Sequence, residues 1–251
     1  MSDQLSPQRL LWLLRADALR NYRSWLVISG TIALVALLVS VLGAWDRDVG
    51  PGFYTGVFIA ALFGWGTLAT SEAFADLHGR GTNTAFLLLP ASALEKTAAR
   101  LLLYTVGLFL FLLVFTTALS LALEGINLLL FGVRRELFSP LDRTVWMIVP
   151  HYLVVQGLFF LGAAWFRKVR FVKTVGAAIA IWFGLVSIAA TIAWSVGSGD
   201  VFFADGPAPA FFNSLEQIGD VAKIVYYYVL PAFCWFVAWL RVTETQVSHG
   251  I

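Results

Sequence analysis

The chain has 251 residues, of which 59% are hydrophobic and only 13% are charged. Soluble domains carry about 25% charged residues, so this composition excludes an ordinary soluble protein and indicates a membrane protein. The net charge of +2 does not favour a nucleic-acid partner, and the single cysteine excludes an intrachain disulfide and a multi-cysteine metal site.

Residues 1–24 are predicted to form a cytoplasmic leader with an amphipathic helix. Ser6 followed by Pro7 is typical of a helix start. Leucine, alanine and tyrosine side chains fall on one helical face, and most charged side chains fall on the opposite face. This pattern favours an interfacial helix along the cytoplasmic surface of the lipid bilayer. The alternative is an ordinary cytosolic extension of the first span.

Six apolar stretches are long enough to cross a bilayer, because a hydrocarbon core of about 30 Å needs about 20 helical residues. The sequence therefore predicts an all-α membrane protein with six transmembrane helices in one domain, residues 25–240, followed by a short cytoplasmic tail, 241–251. The predicted spans are residues 25–44, 53–71, 101–123, 145–166, 175–195 and 221–240.

Lysine and arginine counts predict the orientation of the spans. Twelve of these residues lie in the leader, the second-to-third loop, the fourth-to-fifth loop and the tail. The loops on the other side hold four, with Lys223 at the start of the sixth span. Since cytoplasmic loops are enriched in lysine and arginine, both termini are predicted to be cytoplasmic.

No motif for catalysis or nucleotide binding is present. The chain lacks GxxxxGK[ST], GxSxG and HExxH, so no catalytic residue and no bound cofactor are predicted. Glu72, Asp76 and His78 are close in sequence, but His78 turns away on a helix, which favours a solvated helix end over a metal site. Glu124, His151 and Lys223 lie near predicted span ends, where we expect structural roles.

Residues 79–100 carry the most informative set of signals. Gly79 and Gly81 interrupt the preceding helix, and Thr82 can cap a new one. Pro90 stops that helix after about two turns, and Ser92 with Glu95 forms a capping box for the next. The sequence thus predicts a short helix fixed at both ends between two spans.

The order of these signals resembles the membrane subunits of bacterial ABC transporters, in the type-2 exporter permease family. Those proteins carry an acidic segment, Gly-Thr, a short helix ending in Leu-Leu and a proline, and then a new span. The matching residues here are Glu72, Asp76, Gly81-Thr82, Phe86-Leu87-Leu88-Leu89-Pro90, Ala91-Ser92 and Glu95-Lys96. The resemblance covers the whole chain in topology but only about thirty residues in motif. One departure is His78-Gly79-Arg80, where family members often place an acid directly before Gly-Thr.

The resemblance implies that residues 82–89 form a coupling helix seated in a groove of a separate ABC ATPase subunit. It also implies a bacterial inner-membrane location, a second permease copy in a homodimer or pseudo-dimer, and ATP and Mg bound by the partner. The implied ATPase-coupling interface comprises Asp76, Arg80, Thr82, Asn83, Phe86, Leu87, Pro90, Glu95 and Lys96. The alternatives are a secondary transporter or channel working without ATP, and a non-transporting membrane scaffold.

Overall fold

A computed structural model of the chain describes residues 6–46, 52–79, 91–132, 136–197 and 221–248. In these ranges the regular structure is helical and contains no strand. Six helices of the described ranges are long and apolar enough to cross a membrane, which confirms the predicted all-α class and the predicted number of membrane-length helices.

The helices follow one another in an up-and-down order. They are α1 (Pro7–Asp46), α2 (Phe53–Ser71), the short α3 (Ala75–His78), α4 (Ala93–Phe131), α5 (Arg143–Trp165), α6 (Arg170–Gly197) and α7 (residues 221–248). Two of them contain a π turn, at Leu103–Gly107 in α4 and at Val225–Val229 in α7.

The leader and the first span form one continuous helix. It begins at Pro7, as predicted, and runs for 40 residues to Asp46. At 1.5 Å per residue such a helix is about 60 Å long, which exceeds a bilayer of about 40–45 Å with its headgroups. A separate interfacial helix is therefore not confirmed, and residues 6–24 are the first part of α1.

Helix α4 begins eight residues before the predicted third span, and its start confirms the predicted capping box. The Glu95 N–H donates to Ser92 Oγ at 3.2 Å, and the Ser92 N–H donates to Glu95 Oε2 at 3.0 Å. A second cap, not predicted from the sequence, starts α5, where the Thr144 N–H donates to Asp142 Oδ1 at 2.6 Å. Side-chain oxygens thus replace the carbonyl partners that first-turn amides lack.

Helix α5 packs between α2 and α7 through close contacts at glycine. A Cβ on Gly66 of α2 would lie 2.9 Å from the Tyr152 ring, and one on Gly157 would lie 3.1 Å from Pro231 Cα of α7. The Tyr152 hydroxyl donates to the Tyr104 carbonyl, in the π turn of α4, at 2.8 Å. This bond joins α5 to α4 inside the bundle.

Both ends of the described chain lie at one end of the bundle, which we call the leader end because it holds residues 6–24. The Arg241 guanidinium lies 5.1 Å from the Trp165 ring centre, and Val242 is buried in the same cluster as Leu77 and Ala93. The predicted tail is not a separate segment there, since α7 continues as helix to Ser248.

Candidate functional site

The predicted coupling segment falls in residues 80–90, which lie outside the described residues. Six predicted interface residues are therefore outside the description: Arg80, Thr82, Asn83, Phe86, Leu87 and Pro90. The structure describes both flanks of the segment, including Asp76 on one side and Glu95 and Lys96 on the other.

The first flank is a tight elbow between α2 and α3. The Glu72 N–H donates to the Ala69 carbonyl at 3.2 Å, and the Ala75 N–H donates to the Glu72 carbonyl at 3.0 Å. Phe74 is fully buried, with its ring centre 4.9 Å from that of Phe160 on α5. The elbow is thereby anchored in the apolar core at the leader end.

An ion-pair cluster joins this elbow to α1 and α4, and it comprises Asp17, Arg20, Asp76 and Arg100. Arg100 Nη2 donates to Asp76 Oδ2 at 3.0 Å, and its Nε lies 3.6 Å from Asp17 Oδ2. Arg20 also binds Asp76. The Arg100 side chain is only 5% exposed, and its Nη1 donates to the Ala73 carbonyl at 2.5 Å. The charges of the two carboxylates thus neutralise those of the two guanidiniums.

The ion-pair cluster continues into the π turn of α4. Asn21 Nδ2 donates to the Asp17 carbonyl at 2.9 Å and to the Tyr104 hydroxyl at 3.3 Å. Tyr104 is buried, and its own carbonyl accepts the Tyr152 bond. Polar contacts therefore connect the leader, the elbow, α4 and α5 in one network.

The second flank is held by a capping cluster that comprises Ser6, Arg9, Ser92 and Glu95. Glu95 is fully buried; its Oε1 accepts the Ser6 N–H at 2.9 Å and lies 3.3 Å from Arg9 Nη2. The hydrogen bond from the Ser6 amide is the largest cause that lowers the pKa of Glu95, and the Ser92 amide and Arg9 act in the same direction. Glu95 thus caps α4 and also fixes the start of α1.

Lys96 is enclosed beside the capping cluster. It is 2% exposed, and burial lowers the pKa of its ammonium group, with the charge of Arg100 as a further cause. Among the three described interface residues, only Asp76 keeps an appreciable exposed fraction, 26% of its side chain. In this structure Glu95 and Lys96 therefore hold the segment's flank from inside the protein.

The two acidic residues of the elbow have separate partners. Glu72 binds Arg170 at the start of α6, whereas Asp76 binds arginines of α1 and α4. Burial chiefly lowers the pKa of His78, and the charges of Arg170 and Arg167 act in the same direction. Within the described ranges no three His, Cys, Asp or Glu side chains group closely enough to hold a metal ion.

Glu124 is buried rather than extended to the membrane surface. Its Oε1 accepts the Tyr54 O–H at 2.5 Å and Asn127 Nδ2 at 3.2 Å, and that nitrogen also lies 2.9 Å from Ser40 Oγ. These contacts connect α1, α2 and α4 at the end opposite the leader. The structural role expected for Glu124 holds, but hydrogen bonding inside the bundle provides it.

His151 forms a polar pair with the π turn of α7. Its Nε2 lies 2.8 Å from the Tyr227 hydroxyl, and its Nδ1 lies 3.3 Å from the Met147 carbonyl. His151 is exposed, and Tyr227 is half-buried. The sequence predicted a structural role for His151 near a span end and did not indicate its contact with Tyr227, because tyrosine near a span end is normally interpreted as an interface anchor.

Comparisons with protein-family models, with curated proteins and with solved structures found no match to this chain. Its function therefore has to be argued from the contacts of its own residues.

Proposed function

We propose that this chain is the permease subunit of an ATP-driven exporter and that residues 80–90 dock on a separate ATPase subunit. The observation that carries the proposal is that both flanks of this segment are fixed to one base. That base consists of the leader and the first turns of α4, which the ion-pair cluster and the capping cluster join.

A segment held in this way can transmit force. If either flank were a loose loop, the displacement of a docked partner would be absorbed by changes in loop conformation. Here, Asp76 on one flank binds arginines of α1 and α4, and Glu95 on the other flank is part of α4 and binds the start of α1. Since α4 runs from Ala93 to Phe131, a movement of its first turns is carried across the bundle as rigid-body motion.

The charge distribution supports a cytoplasmic leader end as the docking side of the proposed bacterial inner-membrane protein. Cytoplasmic ends of membrane proteins are enriched in lysine and arginine. Described residues of this kind at the far end are Arg143 and Lys223. At the leader end they are Arg9, Arg15, Arg20, Arg23, Lys96, Arg100, Arg167, Lys168, Arg170, Lys173 and Arg241.

The proposed complex contains a second permease copy, and its ATPase subunits bind ATP and Mg. This division of labour is supported by the sequence, which contains no P-loop motif. The permease would then supply the path and the moving helices, and hydrolysis would take place on the partner.

The proposal is tested by affinity purification of the tagged chain from its native membranes, with ATP hydrolysis measured in the eluate. We expect ATPase activity to co-purify with the parent chain and to be lost with Phe86→Asp, because a charge opposes docking of an apolar side chain. Leu141→Asp is the matched control, since Leu141 is 83% exposed at the far end. Equal ATPase recovery with Phe86→Asp, or none with the parent chain, would overturn the proposal.

The His151–Tyr227 pair is the one observation that favours the alternative, a carrier working without ATP. Ionisable side chains within spans often mark the path of an ion or substrate. Substrate flux into liposomes that contain only this chain, abolished by His151→Ala, would support that alternative over the ATP-driven exporter.

A further inference from the structure

The leader part of α1 turns its polar face toward the protein. Arg9, Asp17, Arg20 and Asn21 all bind residues of α3 or α4. Amphipathicity had predicted that this face would point to water while the apolar face met the membrane. The opposite face of the leader is therefore exposed, and the side chains on it indicate what it contacts outside the bundle.

This outward face combines exposed apolar side chains with two arginines. At 100° per residue its members fall within an arc of about 120°. The exposed fractions are 68% for Trp12, 59% for Leu19 and 47% for Tyr22. The same face continues without a break into Leu26 and Val27 of the first span, which are 63% and 69% exposed. A leader face continuous with a lipid-facing span is placed to meet lipid as well.

Contacts with α4 set the height of the leader relative to the bilayer. Asp17 lies beside Arg100, which directly precedes the predicted span 101–123. At 1.5 Å per residue, Arg15 is about 3 Å below the level of Asp17, and Arg23 is about 9 Å above it. Helical side chains lean toward the N-terminus, so Arg23 extends back toward that level. Both guanidiniums can therefore reach a headgroup layer about 5–7 Å thick.

The two outward arginines are arranged differently from those of the ion-pair cluster. The Arg15 guanidinium lies 5.9 Å from the Trp12 ring centre, and that of Arg23 lies 5.8 Å from the Tyr22 ring centre. Arg23 Nε also donates to the Tyr22 hydroxyl at 3.0 Å. Neither guanidinium forms an ion pair with a residue in the ranges that the structure describes. Both positive charges remain available to an external anion.

We propose that the outward face of the leader binds the phosphate groups of anionic phospholipids in the leaflet at the leader end. Arg15 and Arg23 supply the charge, and Trp12 and Tyr22 supply amphipathic rings of the kind enriched at the membrane interface. The arginine stems and Leu19 cover the upper acyl chains. This surface is independent of any ATPase, so the two proposals can fail separately.

The test uses the full chain with a photo-reactive phenylalanine analogue in place of Leu19, which lies between the two arginines. The protein is reconstituted in vesicles of equal parts phosphatidylglycerol and phosphatidylcholine, and cross-linked lipids are counted by mass spectrometry. The usual contribution of about 1 kcal/mol from each arginine near an anionic surface predicts an enrichment of phosphatidylglycerol of about thirtyfold. Arg15→Gln with Arg23→Gln should bring the ratio close to one, whereas Arg15→Lys with Arg23→Lys should keep most of the preference.

The matched control is Arg167→Gln with Lys168→Gln, which removes the same charge from two exposed residues at the same end. It should leave the cross-linked ratio unchanged. A ratio close to one in the parent chain, or an equal fall in the control, would overturn the proposal. Thermal unfolding in detergent verifies that every variant is folded. Little loss of stability is expected from the Arg15 and Arg23 variants, because these side chains contact rings of α1 itself.

Discussion

Arg100 and Asp76 form the contact that joins the two flanks of residues 80–90. Arg100 is on the first turns of α4, Asp76 is on α3, and the Nη2–Oδ2 distance is 3.0 Å. The same guanidinium faces Asp17 of the leader and lies 5.4 Å from the Phe74 ring centre. One side chain thus determines the relative positions of three elements around the proposed docking segment.

Arg100→Gln is expected to destabilise the chain by roughly 3 kcal/mol, because removing one partner of a buried ion pair leaves the other charge uncompensated. Asp76 keeps Arg20, but Asp17 loses its guanidinium. The measurement is thermal or denaturant unfolding in detergent. Arg167→Gln, at an exposed arginine of the same end, is the control and should change stability by less than about 0.5 kcal/mol. Similar losses in both variants would contradict a structural role for the ion-pair cluster.

Glu95 gives the capping cluster a defined pH dependence. Its pKa in the folded chain is below the ordinary value of 4.5, so folding favours the ionised carboxylate. The corresponding stabilisation is present above pH 4.5 and is lost as the pH falls from there through the lower pKa of the folded state. The difference in melting temperature between the parent chain and Glu95→Gln should therefore shrink below that pH.

Glu244→Gln serves as the control for this titration, because Glu244 is 65% exposed and pairs with its helical neighbour Arg241. Its difference from the parent chain should be small at every pH. A parent-to-Glu95→Gln difference that stays constant across the acidic range would show that the ionised carboxylate does not stabilise the fold.

Gly66→Val is expected to destabilise the packing of α2 on α5 by about 2 kcal/mol, within the usual range for overpacking. The Tyr152 ring cannot easily move away, since its hydroxyl is bonded to the Tyr104 carbonyl. Gly64→Val on the same helix is the matched control, because a Cβ there meets no atom of another described helix within 4 Å. The measurement is the unfolding temperature of each variant, which should be lower for Gly66→Val than for Gly64→Val. Equal values would contradict the described α2–α5 contact.

Tyr54→Phe is expected to cost about 1–3 kcal/mol, because it removes a hydrogen-bond donor from a buried carboxylate. Glu124 is 4% exposed, so water cannot readily replace the lost hydroxyl. Tyr228→Phe, at a tyrosine that is 74% exposed, should have little effect in the same unfolding assay. A neutral Tyr54→Phe would indicate that Glu124 does not depend on this bond.

The sequence was sufficient for the spans, because hydropathy is a local property of about 20 residues. The second span was predicted at residues 53–71, and α2 is Phe53–Ser71. The capping box at Ser92 and Glu95 was also predictable, since its signal lies within four residues. These features need no knowledge of the rest of the chain.

The contacts of the candidate site were not predictable in the same way. The leader's helical pattern shows that Asp17 and Arg20 share a polar face, but not whether water or protein covers it. Their partners are 83 and 56 residues away, at Arg100 and Asp76. Only the tertiary arrangement brings these charges together, and it covers with protein the polar face that was predicted to point to water.

The central claim is that residues 80–90 dock on an ATPase, and photo-cross-linking in living cells tests it most directly. A photo-reactive analogue at Phe86 should capture an ATP-hydrolysing subunit, identified by mass spectrometry, whereas the same analogue at Leu141 of the far end should not. Capture of no partner at Phe86, or of the same proteins at both positions, would contradict the claim.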